Sequence, residues 1–300
     1  MTHSLKHCDS VTVNSCSGFQ LQRRELCLAS KINKNIQSNA NKIQRTDVTN
    51  DTTILSFFTE KKLENLNLLL HSFITICKKE NIPFMLYGGS LLGTYRHHGK
   101  IPWDDDVDVI VSSKVKRRLR RILESEMLHS LSVWGEMSTQ WKVFRKNDNQ
   151  WPFVDVFFYD ENKTHIWDTV PQYRGRFVFF KSDIFPLAYR LFNGMCLPVP
   201  RNMKVIIEQN YEIDRCQSPK FDHFTNGRIP PKKRLNIPCN KLYSRFPFVF
   251  RDHVDQVVSN NEVTSSFFIE RTKKAGQGQN VLAETLKLND SIILYYQSNT

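Results

Sequence analysis

The sequence predicts an α+β fold, a mixed β-sheet flanked by helices, with a cluster of acids at one edge of the sheet. Three observations predict it. Leu63, Leu66, Leu70, Phe73 and Cys77 recur at three- and four-residue steps, as on one apolar helix face. Short apolar runs (84–87 and 153–159) and an alternating Asp-Val-Asp-Val-Ile-Val run from Asp106 have the length and period of strands. Between them stand Gly-Gly-Ser at 88–90 and three consecutive acids at 104–106.

Taken in order, residues 1–53 are rich in Asn, Ser, Thr, Gln and Lys without a sustained period, which predicts a disordered or loosely attached extension. A core is expected over 54–215 and a basic extension, partly packed on that core, over 216–300. The first core helix starts near Ile54 or Thr59 and ends at Asn81 and Pro83. Phe84–Tyr87 reads as a strand, Gly88-Gly89-Ser90 as a turn, and Leu91–Tyr95 as the start of the next helix. Ser112 or Ser113 would cap a helix over 114–129. Val115, Leu119, Ile122 and Met127 form its core stripe, and Lys114, Lys116, Arg117, Arg118, Arg120 and Arg121 cover the rest. Strands are expected over 140–145 and 153–159, then two extended pieces (183–187 and 197–200) around a turn at 192–194. A helix over 203–211 is capped by Asn202, and a last strand falls near 291–297.

The acids give the chemistry. If the extended backbone starts at Trp103, Asp104, Asp106 and Asp108 share one strand face, at about 3.3 Å per residue, while Val107, Val109 and Val111 point inward. Like charges at that density repel unless a cation neutralises them. Oxygen ligands of this kind suit Mg²⁺ or Mn²⁺, which in turn hold phosphate. Asp155 is a lone acid in the apolar run Phe153–Phe158. A buried unpaired carboxylate is costly, so Asp155 is expected at the same site. Gly88, Gly89 and Ser90 supply backbone N–H groups and a hydroxyl for a phosphate. Arg96 offers a planar fork for a diphosphate.

The net charge of +12 calls for an anionic partner without identifying it. Seven cysteines show no CxxC pair and no zinc-finger spacing, which makes a reduced compartment the simpler reading and leaves one or two disulfides open. No secretory signal and no apolar stretch of membrane-spanning length is visible, so the sequence itself predicts a cytoplasmic protein.

Gly88-Gly89-Ser90-Leu91-Leu92-Gly93 with Arg96, followed by Ile101-Pro102-Trp103-Asp104-Asp105-Asp106-Val107-Asp108, resembles the LicD family within the polymerase-beta-type nucleotidyltransferases. That family includes bacterial phosphocholine transferases, fukutin and fukutin-related proteins. The likeness extends more weakly over 63–211, through Phe153-Val154-Asp155-Val156-Phe157 and Val199-Pro200-Arg201-Asn202. It implies a nucleotidyltransferase-like fold and transfer of phosphocholine or a pentitol phosphate from a CDP-linked donor to a glycan or glycolipid hydroxyl, releasing CMP. Asp104, Asp106, Asp108 and Asp155 are then the metal ligands, with Asp106, Asp108 and Asp155 catalytic and Gly88, Gly89, Ser90 and Arg96 around the donor. The animal relatives imply the Golgi as the alternative compartment. Two other readings stand beside this one: nucleotidyl transfer, and a non-enzymatic basic scaffold using 114–121 and 228–245. The scaffold would bind nucleic acid or membrane; as partners of the transferase, an anionic membrane surface is open and nucleic acid is disfavoured.

Overall fold

The computed structural model describes residues 60–125, 131–146, 148, 150–243, 246–258, 262–273 and 294–297, with side chains described from 62 to 251. The extension predicted over 1–53 and Met127 lie outside the described residues.

Helix α1 (Glu60–Lys79) buries Leu66, Leu69, Leu70, Phe73, Ile74, Ile76 and Cys77 on one face. Each fully buried apolar side chain of this size is worth about 1.5–3 kcal/mol, so packing, more than helix propensity, holds the element. Asn81 takes a left-handed φ of 51°, which stops the helix, and Ile82 N–H returns to Cys77 O at 2.8 Å. Pro83 follows and the chain enters β1 (Phe84–Leu86).

Helix α2 spans Gly88–His97. Gly88-Gly89-Ser90 is therefore the first turn of the helix itself, not a separate turn before it. Strand β2 (Val107–Ser112) runs antiparallel to β1, with Leu86 opposite Val109. Because β2 begins at Val107, Asp104 and Asp106 precede the strand, and only Asp108 belongs to its regular alternation. A 3-10 turn at Ser113–Val115, capped by the Ser112 hydroxyl, leads into α3 (Lys116–Glu124).

Strands β3 (Leu131–Trp134), β4 (Trp141–Arg145) and β5 (Val154–Glu161) complete the central sheet. Its order is β1-β2-β5-β4-β3, with β2 and β5 parallel and the other neighbours antiparallel. Val107, Val109 and Val111 on β2, with Val154, Val156 and Phe158 on β5, fill the core side of the sheet. Strand β6 (His165–Asp168) continues alongside the far half of β5 and pairs with β7 (Val178–Phe180).

Residues 183–184, expected to begin an extended piece, instead end the short helix α4 (Lys181–Ile184). The hairpin β8 (Ala188–Phe192) and β9 (Met195–Val199) turns at Asn193 and Gly194, both at positive φ. Helix α5 (Met203–Glu208) is shorter than expected, and Asn202 does not cap it: its side-chain amide donates to Asp183 Oδ1 at 2.6 Å.

Beyond it, β10 (Arg215–Gln217) pairs with β13 (Asn236–Pro238) around a small hairpin of β11 (Phe221–Asp222) and β12 (Gly227–Arg228). Cys216, Cys239, Leu242, Phe246 and Phe248 join the same hydrophobic core as the sheet. A disulfide links Cys216 to Cys239, and Cys196 is also disulfide-bonded. The bridge falls within the one or two disulfides that the sequence left open, and cysteines 23 residues apart are brought together by the β10–β13 pairing. Strands β14 (Phe248–Val258), β15 (Glu262–Lys273) and β16 (Leu294–Gln297) pair antiparallel, which puts the expected last strand in a three-stranded sheet. No helix among the described residues is long and apolar enough to cross a membrane.

Candidate active site

The site is built where β2 and β5 begin. Asp108 and Asp155 are register partners on these parallel strands, so their side chains leave the sheet on the same face. Asp106, one step before β2, completes the group: one carboxylate oxygen from each of Asp106, Asp108 and Asp155 lies within 4.8 Å of the others. Asp104 is not in that group. Its carboxylate faces the start of α2, where a β-carbon built on Gly89 would stand 2.9 Å from Oδ2.

The first turn of α2 is fitted to Asp108. Gly89 N–H donates to Asp108 Oδ2 at 2.9 Å, and Asp108 N–H donates to the Ser90 hydroxyl at 2.8 Å. These groups were expected to stand free for a phosphate. Here they orient the carboxylate, which sits at the positive end of the helix. Gly88 holds φ +50° with space for no side chain, since a β-carbon there would be 2.8 Å from Asp108 Oδ2.

The electrostatics are those of crowded, desolvated acids. Burial first, then repulsion from Asp104, Asp108 and Asp155, pushes the Asp106 carboxyl well above its ordinary range. Asp108 is raised by burial and by Asp155 and Asp104, against a counter-pull from the amides of Gly89 and Ser90. Asp155 is pushed up to about 6, chiefly by burial, with Lys142 and His223 opposing. Asp155 Oδ1 is buried without a hydrogen-bond partner. An orphaned anionic oxygen facing two further carboxylates is what a divalent cation would satisfy, so the residues present fit such an ion.

Arg96, expected as a diphosphate clamp, lines the cavity over the acids, and its guanidinium is also anchored by neighbouring protein groups. Nη1 donates to the carbonyls of Ile213 and Arg215 at 3.1 Å, and Nε lies 3.0 Å from His97 Nε2. Burial lowers its pKa to about 10. It is a strut that ties α2 to the segment beyond α5. Lys100 behaves similarly: its buried ammonium donates to the carbonyls of Ile101, at 2.8 Å, and Asp104.

A cavity of about 580 Å³ opens over the acids. It is lined by Asp104, Asp106 and Asp108 with Gly89, Arg96 and Trp103, and by Arg176, Tyr211, Arg215, Gln217 and Ser218. Gln217 and Ser218 escaped sequence reasoning, because no period or cluster marks them. Tyr211 is close enough for Asp108 and Asp104 to reinforce the upward shift that burial imposes on its hydroxyl. Asp105 stands between Asp104 and Asp106 in the chain. It is paired with His223, whose Nδ1 lies 2.7 Å from Oδ1 and whose backbone N–H donates to Oδ2 at 2.9 Å.

The basic helix α3 is partly structural. Lys116, predicted among its solvated cations, is buried; its ammonium donates to Thr139 O at 2.7 Å and lies 3.9 Å from the Phe158 ring centre. Its position fits the stripe it shares with Leu119 and Leu123.

Comparison with known proteins bears on the same region. Residues 81–202 match a family described as LicD/FKTN/FKRP, nucleotidyltransferase domain. Lipopolysaccharide cholinephosphotransferase LicD of Haemophilus influenzae is 30% identical over 116 residues, covering 34% of this chain and 43% of that protein. Mouse ribitol-5-phosphate transferase FKTN is 30% identical over 138 residues, 45% of this chain and 29% of its own. Mouse ribitol 5-phosphate transferase FKRP is 26% identical over 155 residues, 49% of this chain and 31% of its own. The chain thus spans less than half the length of these relatives.

Proposed function

Since residues 81–202 belong to the LicD family, we propose that this chain is a metal-dependent phosphotransferase acting on a CDP-linked alcohol. It moves phosphocholine or a pentitol phosphate onto a glycan or glycolipid hydroxyl and releases CMP. The observation that carries this reading is the convergence of Asp106, just before β2, with Asp108 and Asp155 on adjacent parallel strands, Asp106 and Asp108 lining the cavity. The relatives named for cholinephosphate and ribitol phosphate transfer support the substrate class.

Asp106, Asp108 and Asp155 would hold Mg²⁺ or Mn²⁺, which when bound neutralises charge on the donor's diphosphate. Gly89 and Ser90 keep Asp108 aimed at that position. Arg176, which lines the cavity, supplies positive charge for the nucleotide or its leaving phosphate. Asp155 either shares that ion or accepts the proton of the incoming hydroxyl. An oxidising compartment fits the disulfides better than the cytoplasm.

The test is CMP release from CDP-choline and a CDP-pentitol by purified protein with Mg²⁺, alongside Asp106→Ala and Asp108→Ala. Loss of release in either variant, with unchanged melting, supports the assignment. Full turnover in either sinks it, and nucleotide retained on the acceptor converts the reading to nucleotidyl transfer.

A further inference from the structure

The segment between α5 and β14 brings one polar side chain among the acids, and it lies outside the residues that match the family. The Cys216–Cys239 bridge and the β10–β13 pairing close residues 216–239 into a loop. Ser218 and Leu235 stitch it across, N–H to carbonyl at 3.0 Å and N–H to hydroxyl at 2.9 Å. Inside it, the β11–β12 hairpin is pinned at its tip by Asp222, whose Oδ1 accepts from the N–H groups of Phe224 and Thr225. This framework presents His223 to Asp105 and seats its ring edge-on against Phe153, two residues before Asp155, with centres 5.1 Å apart.

The contact is two-pronged. One residue of the loop satisfies both oxygens of Asp105, a carboxylate only 4% exposed. Asp105 is covalently between Asp104 and Asp106, and His223 Nδ1 is itself 3.6 Å from Asp106 Oδ2. The backbone at 104–106 has no strand ladder to fix it, because β2 starts at Val107. It is held by the Lys100 ammonium on Asp104 O, by the Asp104 N–H on Ile101 O at 2.9 Å and by this grip on Asp105.

We infer that His223 is a positioning residue for the metal site: by gripping Asp105 it sets where Asp106 presents its carboxylate, so the C-terminal segment tunes cation affinity. This inference rests on the metal-binding reading of Asp106, Asp108 and Asp155. Residues that orient ligands from behind typically change affinity by about 10–100-fold when removed.

The experiment is Mn²⁺ binding to the full chain without nucleotide, read from the electron paramagnetic resonance of free Mn²⁺, with melting of each variant in chelator. His223→Asn places an amide donor close to the Nδ1 position, whereas His223→Gln keeps a polar side chain but carries its amide further out. Expected are wild-type-like binding for His223→Asn and a Kd raised about 10-fold or more for His223→Gln and His223→Ala. Because the two amide variants differ by one methylene, their contrast remains informative even where His223→Ala fails to fold. Equal affinity for wild type, Asn and Gln variants overturns the inference and leaves the metal site standing. An Asn variant as weak as Gln also overturns it, by assigning the effect to the imidazole itself. Wild-type protein that takes up no Mn²⁺ overturns the inference together with the reading on which it rests, and is thereby distinguished from the other outcomes.

Discussion

Gly88 shows how closely single residues are fitted at this site. Its φ of +50° costs an L-residue about 1–2 kcal/mol, and an added methyl would stand 2.8 Å from Asp108 Oδ2. Gly88→Ala is therefore expected to lose that much stability and to displace Asp108. Urea unfolding and Mn²⁺ titration measure the two effects, and wild-type Mn²⁺ affinity in a folded variant would show that Asp108 is free to move. Some of this was legible in the bare sequence. Asp155 could be placed because an acid in an apolar strand needs a partner, and the Asp108–Asp155 register supplies the neighbour it needed. Asp104 lies outside the group formed by Asp106, Asp108 and Asp155, since β2 begins at Val107, four residues beyond the start at Trp103. His223 was out of reach: its partner is 118 residues away and no local pattern links them.

At the scale of elements, helical and strand periods located α1, β2, β4 and β5, because packing against one core imposes those periods directly. What they could not reveal was which polar residues the core would absorb. Helix α3 illustrates the difference. Lys116 is three and seven residues from Leu119 and Leu123, and so falls on the buried stripe despite its charge. Its ammonium is satisfied by Thr139 O and the faces of Phe158 and Trp141. Lys116→Ala removes a cation–π contact and leaves that carbonyl unpaired, together worth about 1–3 kcal/mol. Exposed Arg117→Ala and Arg121→Ala should stay within about 0.5 kcal/mol of wild type. Urea denaturation of the three variants makes the comparison. Equal effects would return Lys116 to the solvated face, and with it the view of α3 as an evenly basic surface for an anionic partner.

For the molecule as a whole, the site couples stability to pH and to cation. The folded chain holds Asp155 at about 6 and Asp106 and Asp108 also above the ordinary carboxylate value, burial being the first cause in each. A carboxyl whose pKa is higher folded than unfolded keeps its proton in the folded state after the unfolded chain has released it. Its contribution therefore favours folding at low pH and is lost as pH rises; for Asp155 the loss runs from 3.8 to about 6. Asp106 and Asp108 act in the same direction. A divalent cation takes the place of those protons, so it competes poorly in acid and well once the acids are ionised. The rise in melting temperature on replacing chelator with Mg²⁺ should accordingly be larger at about pH 7.5 than at about pH 5. Asp155→Asn relieves the repulsion, which should raise stability in chelator at the higher pH while shrinking the Mg²⁺ increment. Thermal unfolding of both proteins at the two pH values decides the matter. An increment independent of pH, or one that Asp155→Asn leaves intact, would mean that these three carboxylates are not where the cation binds.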